Sequence, residues 1–382
     1  MAVKIALIYD DAYLEHEQGP KHPERKERLA YTMSYLAEES VLSSGIISLV
    51  KPRPATREEV LRVHTERYLK LLERLEKVGG IIDLDTPAPK GFLNYTFLAA
   101  GGAIVAGELV AEGAYPRAFA MVRPPGHHAK PDRGAGFCYL NNIAILAEHL
   151  RAKYNIKRAA ILDWDAHFGD GTYDVYEEDP CILYVSIHQD PYTLYPGRGF
   201  ISEIGRGEAR GTKVCIPVPP GTGDEEYMYI FDELVEPLVE WFKPEIILVS
   251  AGQDCHFSDP ITWLGVTARG YAKLMEKAVK LAKKVCQGKL VAVLEGGYGV
   301  EAGLPYTNLA VIAALAEADT TSIREPARVV EEYWWKRKNT MPEVMKIARK
   351  IKEVLSKYTN AFQEKYRSKT RHKKRSRSSK MS

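Results

Sequence analysis

The chain is poor in cysteine and has no long hydrophobic run, and both shortages narrow what it can be. Five cysteines in 382 residues, at positions 138, 181, 215, 255 and 286, form no Cys-x-x-Cys pair and no regular framework. An odd, unpatterned set suits reduced thiols and leaves no ligand spacing for a cysteine-bound structural zinc. The longest apolar runs, such as Ile246 to Ala251 and Leu290 to Leu294, are strand-length and fall far below the roughly 20 residues of a membrane-spanning helix. No membrane association is expected. The segment Met1 to Tyr9 holds one lysine in a short apolar stretch and runs straight into Asp10 and Asp11, without the three regions of a signal peptide. It reads as the first strand of a cytoplasmic protein.

Internal repeats and Gly/Ser-rich linkers are also missing, so nothing divides residues 1–320 into two domains. With 45% hydrophobic residues this region can bury a large core. The net charge of +3 conceals an asymmetry, because residues 361–382 carry nine Lys/Arg and one Glu, leaving 44 basic and 49 acidic residues elsewhere. That last stretch has too few apolar groups to fold and is expected to be a basic, disordered tail. It suits weak contact with nucleic-acid phosphates, or serves only as a solubilising terminus. Between them, residues 321–360 read as a charged helical extension whose Tyr333, Trp334 and Trp335 can pin it to the body.

From Val3 to about Ala316, short β-branched runs alternate with helical stretches, as a parallel α/β sheet requires. Strands are predicted at Val3–Tyr9, Ala118–Met121, Ala159–Asp163, Ile182–Ile187, Val214–Pro217, Ile246–Ser250 and Leu290–Leu294. Several lack polar alternation, the mark of a sheet covered by helices on both faces. Helices are predicted at Pro23–Glu39, Arg57–Lys77, Thr96–Ala111, Asn142–Tyr154, Glu225–Phe242 and Ala268–Lys284, the last capped by Thr267.

Polar residues collect where these strands end, and in open parallel sheets ligands bind at the carboxyl ends of strands. The first cluster, Asp163-Trp164-Asp165-Ala166-His167-Phe168-Gly169-Asp170-Gly171, follows a buried run. Asp165 and His167 stand two apart, so on extended backbone both side chains point the same way and reach one divalent cation such as zinc. The bland reading is a solvated strand-to-helix turn. Asp254, after Ile246–Ser250, is the candidate third ligand, although such an aspartate is more often a helix cap. Arg123-Pro124-Pro125-Gly126-His127-His128-Ala129 sets two imidazoles on a stiff turn, with Asp163 and Asp170 available to fix their tautomers. A histidine pair that merely bonds loop carbonyls is an even match for it. Lastly, Glu295-Gly296-Gly297-Tyr298-Gly299 lets Tyr298 approach a ligand closely and donate to an oxyanion; alone, Gly-Gly-Tyr is usually a turn.

Assembled, these residues resemble the zinc-dependent histone deacetylase and acetylpolyamine amidohydrolase superfamily, particularly its class II-like and prokaryotic members. The motifs stand in order: His22-Pro23-Glu24-Arg25, the Arg-Pro-Pro-Gly-His-His-Ala run, Gly136-Phe137-Cys138-Tyr139-Leu140-Asn141-Asn142, Asp163-Trp164-Asp165-Ala166-His167, Ser250-Ala251-Gly252-Gln253-Asp254 and Glu295-Gly296-Gly297-Tyr298. The resemblance implies a single-domain arginase/deacetylase-like α/β fold with a central, mostly parallel sheet. It implies one zinc held by Asp165, His167 and Asp254. It makes His127 and His128, oriented by Asp163 and Asp170, and Tyr298 the catalytic groups. Gly136 and Phe137 would form one wall of an acyl tunnel and Tyr195 the other, with Asp85 on the rim. A structural potassium or sodium ion would use Asp163, the backbone of Asp165 and His167, Ser186 and the Ile187 carbonyl. Arg28 would be the family's buried arginine near the cavity.

Two positions depart from the pattern. Phe168 stands where relatives generally carry a second histidine, which implies altered packing behind the metal, and Tyr195 replaces a more usual phenylalanine. Gly169 stands where the two-manganese arginase-like enzymes need an aspartate, so a binuclear ureohydrolase is not expected. The implied activity is removal of acetyl or acyl groups from lysine side chains of proteins. The alternatives are deacetylation of small acetylated amines such as acetylpolyamines, and a non-enzymatic binding protein on the same scaffold.

Overall fold

The computed structural model describes residues 2–362; Met1 and most of the basic tail, from residue 363 on, lie outside the described residues. Among the described residues ten strands follow one another: β1 (Ile5–Ile8), β2 (Ile47–Val50), β3 (Gly80–Asp83), β4 (Thr86–Ala88), β5 (Arg117–Ala120), β6 (Ala159–Asp163), β7 (Ile182–Gln189), β8 (Lys213–Val218), β9 (Ile246–Ala251) and β10 (Leu290–Leu294). Eight of them form one sheet in the order β2-β1-β5-β10-β9-β6-β7-β8, every pair parallel. β3 and β4 form a separate antiparallel hairpin.

The six inner strands are buried at every residue, which is why several of them read as apolar runs without polar alternation, their polar residues falling mostly towards the ends. The seven predicted strands are all present, with ends shifted by at most two residues. β2 and the hairpin were not predicted. β2 is an edge strand, half exposed and interrupted by Ser48, and the hairpin contains two glycine-flanked or proline-bearing strands of four and three residues.

The helix predicted over Arg57–Lys77 is two helices, Arg57–Leu61 and Glu66–Val78. Thr65 caps the second by accepting from the Tyr68 amide, while its own amide donates to the Pro131 carbonyl. The break brings His64 inward, with Nδ1 3.0 Å from the Lys130 carbonyl and Nε2 accepting from the Asn141 amide at 2.9 Å. A surface helix is thereby pinned to the loop that carries the histidine pair.

Helix Phe92–Ala111 is, by length and composition alone, long and apolar enough to cross a membrane, although Asn94, Thr96 and Glu108 interrupt its apolar residues. Here it packs on β1, β5 and helix Asn142–Tyr154, so its apolarity serves the core. Past residue 320, helices Ala327–Tyr333 and Met341–Leu355 flank a short turn at Trp334–Lys336. Val344, Ala348, Ile351 and Leu355 are buried against β8 and helix Asp224–Ile230.

Candidate active site

The four central strands, β5, β10, β9 and β6, are neighbours in space, and each ends in one of the polar clusters. Parallel strands present their carboxyl ends at one edge, so four loops far apart in sequence meet there.

Asp165, His167 and Asp254 form one group, with a ligand atom from each within 4.8 Å of the others. His167 Nδ1 lies 3.1 Å from Asp165 Oδ1 and 2.9 Å from Asp254 Oδ2. Both carboxylates are fully buried, and two like charges so placed need a cation. Burial and the neighbouring Asp165 charge push Asp254 up to about 7. Burial disfavours a charged His167, yet bonds to Asp165 and Asp254 raise it to about 10. A divalent ion among the three atoms would relieve the repulsion and take the place of that proton. The donor set of two oxygens and one imidazole nitrogen fits zinc and leaves a position open. Backbone amides hold the outer oxygens: Gly296 donates to Asp165 Oδ2 at 2.7 Å and Ala166 to Asp254 Oδ1 at 2.8 Å. A Cβ on Gly296 would come within 2.5 Å of Asp254 Oδ2 and 2.6 Å of Asp165 Oδ2, so only glycine fits.

His127 and His128 lie against this group. His127 Nδ1 is 3.2 Å from Asp163 Oδ2, and its Nε2 is 3.7 Å from Asp165 Oδ1. His128 Nδ1 is 2.8 Å from Asp170 Oδ1. Their environments differ. Burial works against charge on both, but Asp165 and Asp163 overcome it at His127 and hold that imidazole well above its ordinary value. His128 drops to about 4 through burial and the His127 charge. Two titratable groups driven apart make an acid and a base, and a cation beside Asp165 would draw both imidazoles down.

Three supporting groups were not read from the sequence. Tyr184 donates to Asp163 Oδ2 at 2.8 Å, Lys130 Nζ lies 2.7 Å from Asp170 Oδ2, and Glu295 Oε2 accepts from the Gly126 and His127 amides. Each is an ordinary strand or loop residue in sequence, and only parity on β7 hinted that Tyr184 faces Asp163.

Tyr298 is buried close enough to Asp165 and Asp254 to feel their charges. Its amide donates to Asp259 Oδ2 at 2.7 Å, and its ring meets Phe137 edge-on with centroids 5.6 Å apart. Arg28 lies 4.9 Å from that ring centroid and donates to the Gly297 and Glu295 carbonyls. Arg28 and Arg123 flank the buried Glu24; burial opposes its ionisation, and the two guanidiniums hold it far below the carboxylate range.

Gly136 has φ +53°, and a Cβ there would meet His128 Cδ2 at 2.6 Å and Tyr195 Cε1 at 3.1 Å. Backbone therefore lies against His128 and Tyr195 at Gly136, and Tyr195 stands edge-on to His128 at 5.0 Å. Asp85 is exposed on the β3–β4 turn, its carboxylate accepting from Thr86 Oγ1 at 3.2 Å and its carbonyl 3.0 Å from His22 Nε2. Partial desolvation of its carboxyl by the neighbouring turn, and the adjacent Asp83, raise its pKa. Asp163 and Ser186 face each other in the β6–β7 register, with Ile187 next along β7; Ser186 Oγ lies 2.8 Å from His188 Nδ1. Phe168 fills the space between His188, at 4.9 Å, and Tyr173, at 5.6 Å, so an aromatic cluster backs the site.

A parallel α/β sheet whose central strands deliver a buried Asp-His-Asp group beside two His-Asp pairs has the architecture of the arginase/deacetylase class. The chain belongs to the histone deacetylase family: the family's histone deacetylase domain matches residues 22–315. It is 53% identical over 357 residues to a probable deacetylase of Archaeoglobus fulgidus, covering 93% of this chain and 99% of that one. It is 33% identical to the histone deacetylase-like amidohydrolase of Pseudomonas aeruginosa, over 86% and 90% of the two chains. The crystal structure of the HDA15 HD domain superposes with a TM-score of 0.80 at 28% identity, covering 94% of this chain and 99% of that one.

Proposed function

We propose that this chain is a zinc-dependent amidohydrolase that removes acetyl groups from lysine side chains of proteins. The carrying observation is the pair of buried carboxylates, Asp165 and Asp254, converging with His167 on one point beside two imidazoles of opposite tendency. Zinc bound there supplies Lewis-acid activation of water and of the amide carbonyl. The chain's own residues do the rest. His128, with Nδ1 engaged by Asp170, keeps Nε2 to accept a proton from the attacking water. The imidazole pair returns a proton to the departing amine, and Asp163 and Asp170 stabilise the imidazolium. The Tyr298 hydroxyl donates to the developing oxyanion, the interaction that usually contributes most.

A second reading is a small acetylated amine, such as an acetylpolyamine. It is favoured by Asp83 and Asp85, whose neighbouring carboxylates on the hairpin turn suit a second ammonium group. Acetate release from an acetyl-lysine peptide and from acetylspermidine, in competition, separates the two. The purified full chain should lose activity on chelation and regain it with zinc. No bound metal, or turnover indifferent to chelation, would overturn the proposal.

A further inference from the structure

The family domain ends at residue 315, yet later residues reach back to the site. Between Asp254 and the helix starting at Ala268 runs a long loop without regular structure apart from isolated bridges. Two of its contacts bear directly on the chemistry. Thr262 Oγ1 donates to the carbonyl of Asp254, and Asp259 Oδ2 accepts from the amide of Tyr298. The loop thus fixes the third metal-ligand candidate and the oxyanion donor at once.

What fixes the loop comes from the C-terminal extension. Lys336 Nζ donates to the Asp259 carbonyl at 2.5 Å and to the Thr262 carbonyl at 3.1 Å. It is buried, 8% exposed, and its ammonium lies over the rings of Trp263, at 5.4 Å, and Tyr333, at 6.0 Å. Placing an ammonium there costs desolvation, so the two carbonyls and the aromatic faces must repay it. Around it, Trp334 packs edge-on to Phe257 and Trp335 to Trp263. Glu325 Oε1 lies 2.9 Å from His256 Nε2, whose Nδ1 is 2.8 Å from Ser258 Oγ. That hydroxyl–imidazole–carboxylate order resembles a nucleophilic relay. Ser258, however, is 3% exposed and lies under Gly299, where no substrate reaches it, so the three side chains act as a tie.

We propose that Lys336 is a positioning residue for the active site: by clamping the Asp259 and Thr262 carbonyls it holds Asp254 and Tyr298 in their working places. The extension is then part of the catalytic scaffold. The inference rests on the metal-dependent deacetylase reading, and its test reads metal binding apart from turnover.

The full chain with Lys336→Met, Lys336→Arg and Thr262→Val would be compared for zinc affinity, by competition of the metal-free protein with a chromogenic chelator, and for kcat, KM and thermal unfolding. Lys336→Met is expected to weaken zinc binding by about 10-fold or more and to lower kcat similarly while KM changes by less than about twofold, on the scale of losing an outer partner of a metal site. Lys336→Arg, which keeps a donor cation, should recover most of both. Zinc affinity and kcat within about twofold of the parent in Lys336→Met, or losses that follow only the unfolded fraction, would overturn the proposal. If that variant does not fold, Thr262→Val decides, since it removes only the hydroxyl on the Asp254 carbonyl, and unchanged zinc affinity would sink the clamp. A parent that binds zinc but releases no acetate from either substrate would refute the function, while the chelator competition would still read the clamp.

Discussion

A single tyrosine hydroxyl is a small object with a large expected effect under the proposed function, because a preorganised donor aimed at an oxyanion acts where water is excluded. Tyr298→Phe keeps the ring contacts with Phe137 and Arg28 and removes only the donor. Turnover of an acetyl-lysine peptide should fall by roughly 100-fold or more while zinc affinity is unchanged; an unaltered kcat would remove Tyr298 from the chemistry. His64 makes a contrasting case, a buried histidine with a structural task. Its Nε2 accepts from Asn141 and its Nδ1–H donates to Lys130, so it must stay neutral, and burial lowers its pKa to about 4. The unfolded chain binds a proton at His64 below about 6.5 that the folded chain refuses, so its stabilising contribution is full above that pH and is lost as pH falls towards 4. Denaturant unfolding should show His64→Gln less stable than the parent at pH 7.5, with the gap narrowing by up to about 1.4 kcal/mol per pH unit below 6.5. A gap independent of pH would contradict a neutral, buried His64. Residue types at this scale were partly legible: Asp165 and His167 stood out by chemistry and spacing, whereas Asp254, the His127–His128 pair and Tyr298 read as well as a helix cap, loop residues and a turn until they were taken together with the family resemblance. Lys130, Tyr184 and Lys336 did not stand out, since a lysine or tyrosine in sequence carries no sign of whether it will be buried against a carboxylate or a carbonyl.

Elements determine which of those residues meet. The inner strands were readable because burial on both faces favours β-branched and other apolar residues over a polar alternation, whereas β2 and the β3–β4 hairpin, at an edge and off the sheet, carry mixed patterns. The break between Arg57–Leu61 and Glu66–Val78 is a tertiary effect: the helical pattern continues through it, and the interruption is fixed by the bonds of His64 and Thr65 to a loop some 65 residues later. The turns after β9 and β10 impose their own limit, because their backbone lies directly against the carboxylates of the candidate metal group. Gly296→Ala should leave the fold intact, since the strand before it is unchanged, but wedge Asp254 from Asp165. Zinc affinity, measured by competition on the metal-free protein, is expected to drop by about 10-fold or more; an affinity equal to the parent's would mean the turn is slacker than its contacts indicate.

For the molecule as a whole, the buried like charges at the centre would tie binding of a metal ion to folding. Any ion that binds only the folded chain stabilises it, by about 2.7 kcal/mol at a free concentration 100 times its Kd. Thermal unfolding of the full chain should therefore move up by a few degrees when zinc replaces chelator, and Asp254→Ala should abolish the shift. An equal midpoint in zinc and in chelator would count against the metal site. The amino-acid sequence by itself determined the layered α/β architecture, because apolar runs and amphipathic stretches must be buried in only a few ways, and it determined the chemistry on offer, because carboxylates, imidazoles and a glycine-flanked tyrosine follow those runs. Only the tertiary structure decided the strand order that sets β5, β10, β9 and β6 side by side, the opposite tendencies of His127 and His128, and the return of Lys336 to the loop of Asp254. Those depend on which distant segments become neighbours and on how far water is excluded between them, and neither is written in the local pattern of the chain.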